Sequence, residues 1–281
     1  MKLRELYQQY SEQLTEIYSA QEAGSLAFWL LEEYLGKTRM DILKDESLTS
    51  IPLAMEEAFE QLLKGKPIQY VLGHAPFYGR EFLVSPSVLI PRNETEELVH
   101  LIIKENRDQS LRILDIGTGS GCIPISLALE IPKADLFSLD VSAEALVVAE
   151  ANAKKLGAKV EFFLCDILRE EIPVGELDII VSNPPYVRHT EKSQMHANVL
   201  DHEPHLALFV YDEDPLLFYR TIAEKAKKAL RAGGKLYFEI NEAFGKETAK
   251  LLHDLGYTNV RIVSDLNGKE RMVTAKSAPI S

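Results

Sequence analysis

Short apolar strands alternating with amphipathic helical stretches, from Arg112 to Ile240, constrain the fold of this 281-residue chain most strongly. Such an alternation is typical of an α/β arrangement, a parallel β-sheet covered by helices on both faces. Two later apolar runs flank a polar turn and predict a closing antiparallel pair. Ligands bind such sheets at the carboxyl ends of the strands. The predicted strands are Arg112 to Ile116, Asp135 to Asp140, Lys159 to Leu164, Leu177 to Ser182, Lys235 to Ile240, Asn259 to Val263 and Arg271 to Ala275.

The first part of the chain has a different pattern. Apolar residues such as Leu26 and Leu30 recur at helical spacing, which predicts a small helical unit. Between Pro67 and Pro91, β-branched and aromatic residues are punctuated by glycine and proline, which predicts a β-hairpin. We therefore expect three parts, namely a helical domain over residues 1–70, a β-hairpin linker over 71–92 and the α/β domain over 93–281.

Charge and cysteine usage narrow the class of protein. The net charge is -12, from 43 acidic and 31 basic residues, and no Lys/Arg block interrupts it, which argues against free nucleic acid as the main partner. Cys122 and Cys165 lie far apart inside apolar runs, so neither a disulfide framework nor a cysteine metal site is expected. The chain has no apolar signal core and no stretch of roughly 20 apolar residues. These features predict a cytoplasmic protein that does not bind membranes.

A glycine-rich turn follows the first strand of the alternation. It comprises Gly117, Thr118, Gly119, Ser120 and Gly121, and glycine at such a turn lets a ligand approach the backbone. A dinucleotide fingerprint and a merely tight strand-to-helix turn both fit this pattern. Asp140 ends the next strand, about 20 residues on, where a carboxylate can accept both hydroxyls of a ribose. Its alternative is the N-cap of the following helix, which Ser142 could supply instead.

A third acidic residue stands beyond the third strand. From there Asp166 and its neighbour Ile167 could border an adenine ring. An exposed loop carboxylate is an equally good interpretation of Asp166.

The fourth strand ends in Asn183, Pro184, Pro185 and Tyr186, a motif for which hydride-transfer enzymes have no use. Two consecutive prolines fix the backbone and leave carbonyl groups without competing N–H donors. Asn183 Oδ1 and the Pro184 carbonyl could accept the hydrogens of a planar NH2 group and align it with a methyl donor, while Tyr186 packs against its flat face. The alternative is a structural turn, since Asn-Pro is common in loops. With the glycine turn and Asp140 upstream, the motif favours an S-adenosylmethionine-dependent methyltransferase.

At this point the chain resembles one family closely: the class I methyltransferases that modify the glutamine amide of peptide chain release factors, the HemK/PrmC type. The resemblance covers nearly the whole chain. Beyond the glycine turn, Asp140 and the Asn-Pro-Pro-Tyr motif, it is carried by Lys66 to Gly73, Phe77 to Val84, Val88 to Leu98 and Glu203 to Leu208.

The resemblance implies a Rossmann-like sheet preceded by a helical domain and a β-hairpin linker. It also implies S-adenosyl-L-methionine as cofactor and, as substrate, the glutamine of the Gly-Gly-Gln motif in release factors. Gly117 to Gly121 with Asp140 would hold the cofactor, with Asp166 and Ile167 on its adenine side. Asn183 to Tyr186 would hold the glutamine, and Asn183 would also contact the cofactor. Ile167 occupies a position that is often aromatic in the family, and Leu208 to Pro215 departs from a stretch where the family tends to have glycines.

Three other groups of residues have structural explanations beside the functional ones. Asp201, His202 and His205 have a loose metal-like spacing, but no second cluster completes a ligand set, so no metal is expected. The Arg92 to Glu96 segment could line the cofactor pocket or form a plain helix start with a charged first turn. Trp29, beside Phe28, is expected to pack in the helical core.

Three competing functions stay open. An adenine-N6 or cytosine-N4 nucleic acid methyltransferase would use the same motif, but it must grip a nucleic acid and commonly flips the base. A glutamine methyltransferase of a ribosomal protein would share both the motif and the cofactor site. A scaffold that binds cofactor without catalysis predicts loss of the motif, which is intact here.

Overall fold

A computed structural model of the chain describes residues 1–107 and 109–278. It divides into two compact units, one of residues 1–73 with 196–202 and one of residues 74–195 with 203 onward. No helix in the described part of the chain is long and apolar enough to cross a membrane.

The helical unit packs around one apolar core. Ser19 caps its longest helix by accepting a hydrogen bond from the Glu22 N–H, and Gly36 ends that helix in the left-handed conformation with φ +62°. Phe28 and Trp29 pack against the core, as the sequence predicted. The helices of this unit are α1 Leu3–Leu14, α2 Ala20–Leu35, α3 Arg39–Lys44, α4 Leu53–Leu63, α5 Ile68–Leu72 and, from the second half of the chain, α9 Ala197–His202.

The larger unit holds the sheet. Its strands are β1 His74–Phe77, β2 Arg80–Leu83, β3 Arg112–Ile116, β4 Asp135–Asp140, β5 Glu161–Leu164, β6 Leu177–Ser182, β7 Val187–Arg188, β8 Phe209–Val210, β9 Leu230–Glu239, β10 Thr258–Ser264 and β11 Glu270–Lys276. Its helices are α6 Asn93–Asn106, α7 Cys122–Glu130, α8 Ala143–Leu156, α10 His205–Leu208, α11 Leu217–Ala229 and α12 Gly245–Asp254, with 3-10 turns at His189–Gln194 and Glu242–Phe244.

The seven strands of the main sheet run in the order β10-β11-β9-β6-β3-β4-β5. Five of them, β3, β4, β5, β6 and β9, are parallel, and β11 pairs antiparallel with both β9 and β10. The predicted Rossmann-like sheet with a closing antiparallel pair is confirmed. Because the chain leaves β3 toward β4 and β5 and then returns to β6 on the other side, a crevice opens at the carboxyl end of β3.

The structure corrects the predicted hairpin. Residues 68–72 form the short helix α5 instead of a strand, because Pro67 stands at its N-cap with fixed φ and Gly73 ends it at φ +78°. The hairpin is confined to β1 and β2, whose register pairs His74 with Leu83 and Phe77 with Arg80. The domain boundaries at residues 70 and 92 stay predictions.

Some strand boundaries also differ from the predicted ones. Strand β5 begins at Glu161 instead of Lys159, and β9 begins at Leu230, five residues before the predicted Lys235. The added part of β9 contains Gly233 and coincides with a shift in the pairing of β9 with β6. Glycine is unusual inside a strand, so the sequence did not predict a strand over these residues. The parallel pair of β7 and β8 was not predicted at all, since two-residue strands carry no readable periodicity.

Candidate active site at the carboxyl edge of the sheet

A pocket of about 390 Å³ lies at the carboxyl edge of the sheet, a size usual for small-molecule sites. Four neighbouring strands each contribute one predicted site residue to its lining: Gly117 after β3, Asp140 at the end of β4, Asp166 after β5 and Asn183 after β6. The structure thus brings together residues that lie up to 66 positions apart in the sequence. The prediction that function lies at these strand ends agrees with this pocket.

The glycine turn lines one wall of the pocket. Gly117 and Gly119 have φ values of +81° and +53°, and no atom lies within 4 Å of a Cβ added at either one, so glycine leaves the backbone open to a ligand. Gly121 is different. A Cβ there would come within 2.8 Å of Ile125 Cδ1 and 3.1 Å of Ala149 Cβ, so this glycine allows helix α7 to approach α8. It does not line the pocket, and its role in cofactor binding stays a prediction.

Buried polar atoms that lack a hydrogen bond of ordinary geometry lie in and beside this turn. Thr118 Oγ1, Ser120 Oγ and Asp115 Oδ1 have no hydrogen bond of ordinary geometry within the described residues. Thr118 and Ser120 also line the pocket. Because buried polar groups are normally hydrogen-bonded, these hydroxyls fit a site that receives a polar ligand.

Asp115, directly before the turn, was not singled out by the sequence. Its carboxyl is fully buried and accepts a hydrogen bond of 2.9 Å from Ser138 Oγ. Burial raises the pKa of this carboxyl to about 7, and the nearby Asp140 carboxylate adds to the rise. Because folding raises the pKa of Asp115, its protonated form favours the folded state. The contribution of this carboxyl to the free energy of unfolding is fully present below about pH 4 and is lost as pH rises through about 7.

We expect Asp115→Asn to remove this loss. Relative to the wild type, the variant should gain up to about 4 kcal/mol of unfolding free energy between pH 4 and pH 8, since a shift of one pKa unit corresponds to about 1.4 kcal/mol. Urea unfolding at several pH values measures the difference in unfolding free energy between variant and wild type. The other carboxyl groups are common to both proteins, so their contributions cancel. Asp135→Asn, an exposed carboxyl at the start of β4, is the control. A constant difference between Asp115→Asn and wild type across this range would contradict the assignment.

Asp140 ties the glycine turn to the next strand. Its Oδ2 accepts from the Gly119 N–H and its Oδ1 from the Ser142 N–H, both at 2.9 Å. Ser142 itself caps α8 by accepting from the Ala145 N–H at 3.1 Å, so Asp140 is not needed as the cap. Burial raises the pKa of Asp140, and the backbone donors oppose that rise. Each carboxylate oxygen retains a lone pair, which leaves capacity for ribose hydroxyls.

Asp166 and Ile167 lie at another part of the pocket wall. Asp166 Oδ1 accepts from the Leu168 N–H at 2.9 Å, so this carboxylate also orders its own loop. Lys225 Nζ, on α11, donates to the carbonyl of Ile167 at 2.7 Å and also to the carbonyl of Glu170. These hydrogen bonds hold the loop beside the pocket, a role of Lys225 that the sequence did not predict. The adenine-side roles of Asp166 and Ile167 stay predictions.

We expect Lys225→Met to weaken cofactor binding about 3- to 10-fold, because the loop loses charged donors to its carbonyls. Lys228→Met is a matched control on the same helix, where the lysine is exposed and reaches only Glu171. Isothermal titration with S-adenosyl-L-methionine measures both. Equal dissociation constants for the two variants would mean that the loop holds its position without Lys225.

The Asn-Pro-Pro-Tyr motif is divided between pocket and core. Asn183, Pro184 and Pro185 line the pocket, and Asn183 Nδ2 donates to Thr95 Oγ1 at 3.2 Å. Tyr186 does not line it. Its hydroxyl donates to Glu239 Oε1 at 3.2 Å, and burial raises its pKa far above the ordinary value. The stacking role of Tyr186 therefore stays a prediction, and its observed contacts anchor the motif to β9.

Glu239 lies beside the motif, and the sequence patterns did not point to it. It is 1% exposed at the end of β9 and also accepts a 2.7 Å hydrogen bond from Thr95 Oγ1. Burial raises the pKa of Glu239 to about 6, against the opposing hydrogen bonds from Thr95 and Tyr186. One sequence feature could have identified Glu239: it is an acidic residue at the carboxyl end of an apolar strand.

The segment from Arg92 to Glu96 lines the pocket in part and forms the start of helix α6 in part. Arg92 and Thr95 line the pocket, whereas Glu96 accepts a hydrogen bond from the Tyr78 N–H at 2.8 Å. Arg92 pairs with Glu203 at 2.6 Å, and Glu203 Oε2 also accepts from the Ile90 N–H at 3.2 Å. Glu203 is 4% exposed, so it fixes the start of the Glu203 to Leu208 stretch beside the pocket.

The metal-like spacing gained no support. Among residues 1–107 and 109–278, no group of three or more His, Cys, Asp or Glu side chains could hold a metal ion. Asp201 and His202 end helix α9, whereas His205 begins α10 in the other unit.

The chain matches two family models and, over most of its length, several relatives. Residues 94–206 match the Methyltransferase small domain and residues 5–73 the PrmC N-terminal domain. A release factor glutamine methyltransferase of Bacteroides thetaiotaomicron is 49% identical over 94% of this chain and 96% of its own. The chain belongs to the release factor glutamine methyltransferase family. The enzyme of that name from Flavobacterium psychrophilum is 46% identical, over 97% and 98% of the two chains.

A solved methyltransferase from Pyrococcus furiosus shares the fold, with a TM-score of 0.54 and 17% identity over 79% of this chain and 99% of its own. Membership of the release factor glutamine methyltransferase family confirms the predicted enzyme class and the cofactor, S-adenosyl-L-methionine. The glycine turn, the buried hydroxyls of Thr118 and Ser120 and the carboxylate of Asp140 all line the pocket, and they fit this cofactor, which has a ribose, a charged amino acid end and a sulfonium.

Proposed function

We propose that this enzyme methylates the side-chain amide nitrogen (N5) of the glutamine in the Gly-Gly-Gln motif of peptide chain release factors. The observation that carries the proposal is the position of Asn183, which lies in the same pocket as the glycine turn and Asp140. The identity of 49% and 46% with two release factor glutamine methyltransferases, over nearly the full length of the chain, supports the choice of substrate.

Methyl transfer to an amide nitrogen is difficult because its lone pair is delocalised. S-adenosyl-L-methionine, when bound, supplies an electrophilic methyl group and leaves as the neutral thioether. Asn183 Oδ1 and the Pro184 carbonyl accept the two N–H groups of the glutamine amide and orient its nitrogen in line with that methyl group. As the N–C bond forms, positive charge develops on the nitrogen and strengthens both hydrogen bonds, so the site stabilises the transition state more than the bound substrate. The nitrogen then loses one proton to solvent.

The protein surface suits such a partner. The net charge of -12 complements a basic, ribosome-binding protein and would accelerate its encounter. We assign recognition beyond the glutamine to the helical domain, predicted over residues 1–70, since a protein substrate needs more contact than one side chain provides. Neither a nucleic acid nor a membrane is part of the proposal.

A cytoplasmic location accompanies this proposal, because release factors act at cytoplasmic ribosomes. The two cysteines, Cys122 and Cys165, are unpaired and buried, which suits a reducing compartment.

The decisive experiment is transfer of labelled methyl from S-adenosyl-L-methionine to four acceptors, namely a purified release factor, the same factor with its Gly-Gly-Gln glutamine replaced, ribosomal proteins and unmethylated DNA. We expect label on the intact factor alone, located at the glutamine by mass spectrometry. Label on a ribosomal protein alone or on DNA alone would retain the catalytic motif and reject the substrate. No label on any acceptor, with cofactor bound, would favour the scaffold alternative.

A further inference from the structure

A chain of three hydrogen bonds links the catalytic motif to a buried carboxyl. Asn183 Nδ2 donates to Thr95 Oγ1 at 3.2 Å, Thr95 Oγ1 donates to Glu239 Oε2 at 2.7 Å, and Tyr186 OH donates to Glu239 Oε1 at 3.2 Å. Thr95 is 3% exposed and Glu239 is 1% exposed, so water does not compete for the bond between them. Both ends of the Asn183 to Tyr186 motif are thereby attached to one side chain on β9.

When Glu239 is ionised, the donors and acceptors of these hydrogen bonds can be arranged in only one way. A carboxylate carries no hydrogen, so it can only accept. The single hydroxyl proton of Thr95 must therefore point at Glu239, and the Thr95 oxygen can then only accept from Asn183. The Asn183 amide must present its NH2 to Thr95, which directs Oδ1 away from Thr95 as the acceptor for a substrate amide.

We propose that Thr95 and Glu239 are positioning residues that set the amide orientation of Asn183, so that its oxygen faces the substrate NH2. This inference rests on the proposed function and adds two residues to it. The opposite orientation would offer an NH2 to the NH2 of the glutamine, two donors facing each other, and would abolish alignment. Asparagine has no preference of its own between the two orientations, so an external acceptor-only group has to impose it.

Protonation of Glu239 removes that constraint. A protonated carboxyl can donate to Thr95, which frees the Thr95 hydroxyl to donate to Asn183 Oδ1 and stabilises the reversed amide. Burial places the pKa of Glu239 at about 6, so the productive orientation is enforced above that pH and lost as pH falls through it. The groups that face Glu239 from the surrounding elements are Glu94 and Thr95 on α6, Cys122 on α7, Tyr186 after β6, Tyr219 on α11 and Arg271 on β11.

The test uses the full-length enzyme with a release factor, in wild type, Thr95→Val, Thr95→Ser and Glu239→Gln. Valine keeps the shape of threonine without the hydroxyl, and serine keeps the hydroxyl. We expect Thr95→Val to lower kcat about 10- to 100-fold with the dissociation constant of S-adenosyl-L-methionine within 2-fold of wild type. Thr95→Ser should recover most of kcat. The wild-type pH profile of kcat should fall below about pH 6, and this acidic limb should vanish in both Thr95→Val and Glu239→Gln.

The pH profile separates positioning from mere structure. If these residues only stabilise the fold, Thr95→Val lowers the unfolding midpoint and keeps the acidic limb, which would overturn the inference. Full kcat in Thr95→Val would also overturn it. A failure of the proposed function is distinct, because the wild type itself would then transfer no methyl to the release factor.

Discussion

Asn183→Ala should bind S-adenosyl-L-methionine as the wild type does and lose about 10³-fold in kcat, because removing one preorganised partner of a developing charge typically has an effect of this size. The expected loss lies in kcat because Asn183 Oδ1 acts most strongly in the transition state. Single-turnover methyl transfer to a release factor measures the chemical step, and titration calorimetry measures cofactor affinity.

The control for this variant is Asn267→Ala, at an exposed turn between β10 and β11. It should leave both quantities unchanged. Parallel loss of cofactor affinity and kcat in Asn183→Ala would contradict a catalytic role and indicate a disturbed pocket. A variant that kept the biological role of the protein without any methyl transfer would revive the scaffold alternative.

Local sequence patterns predicted the sheet and the position of the pocket well. Apolar runs marked the ends of β3, β4 and β6 within a residue, because strands buried on both faces read as continuous apolar segments. The sequence left the cap of α8 open between Asp140 and Ser142, because either side chain is a good N-cap; the structure shows that Ser142 accepts from the Ala145 N–H.

What the sequence could not supply was long-range pairing. Thr95 and Glu239 are 144 residues apart and Arg92 and Glu203 are 111 apart, and no periodicity links such positions. Gly121 shows a second limit, because its glycine turn suggested ligand contact whereas its neighbours are α7 and α8 side chains. Sequence reveals that a position requires glycine, but ligand and helix produce the same requirement.

The second large effect concerns Asp140→Ala, which we expect to raise the dissociation constant of S-adenosyl-L-methionine at least about 100-fold. The substitution removes a charged acceptor for the ribose hydroxyls, where each charge-assisted bond contributes about 1.5–3 kcal/mol, and it releases the Gly119 and Ser142 N–H groups. Calorimetry compares it with Asp135→Ala at the opposite, exposed end of β4. At saturating cofactor the variant should retain most of kcat, in contrast to Asn183→Ala, because we assign Asp140 to the ribose and not to the reacting amide. An unchanged cofactor affinity would reject the ribose assignment, whereas a full loss of kcat at saturation would mean that the tie between β4 and the glycine turn also positions the methyl group.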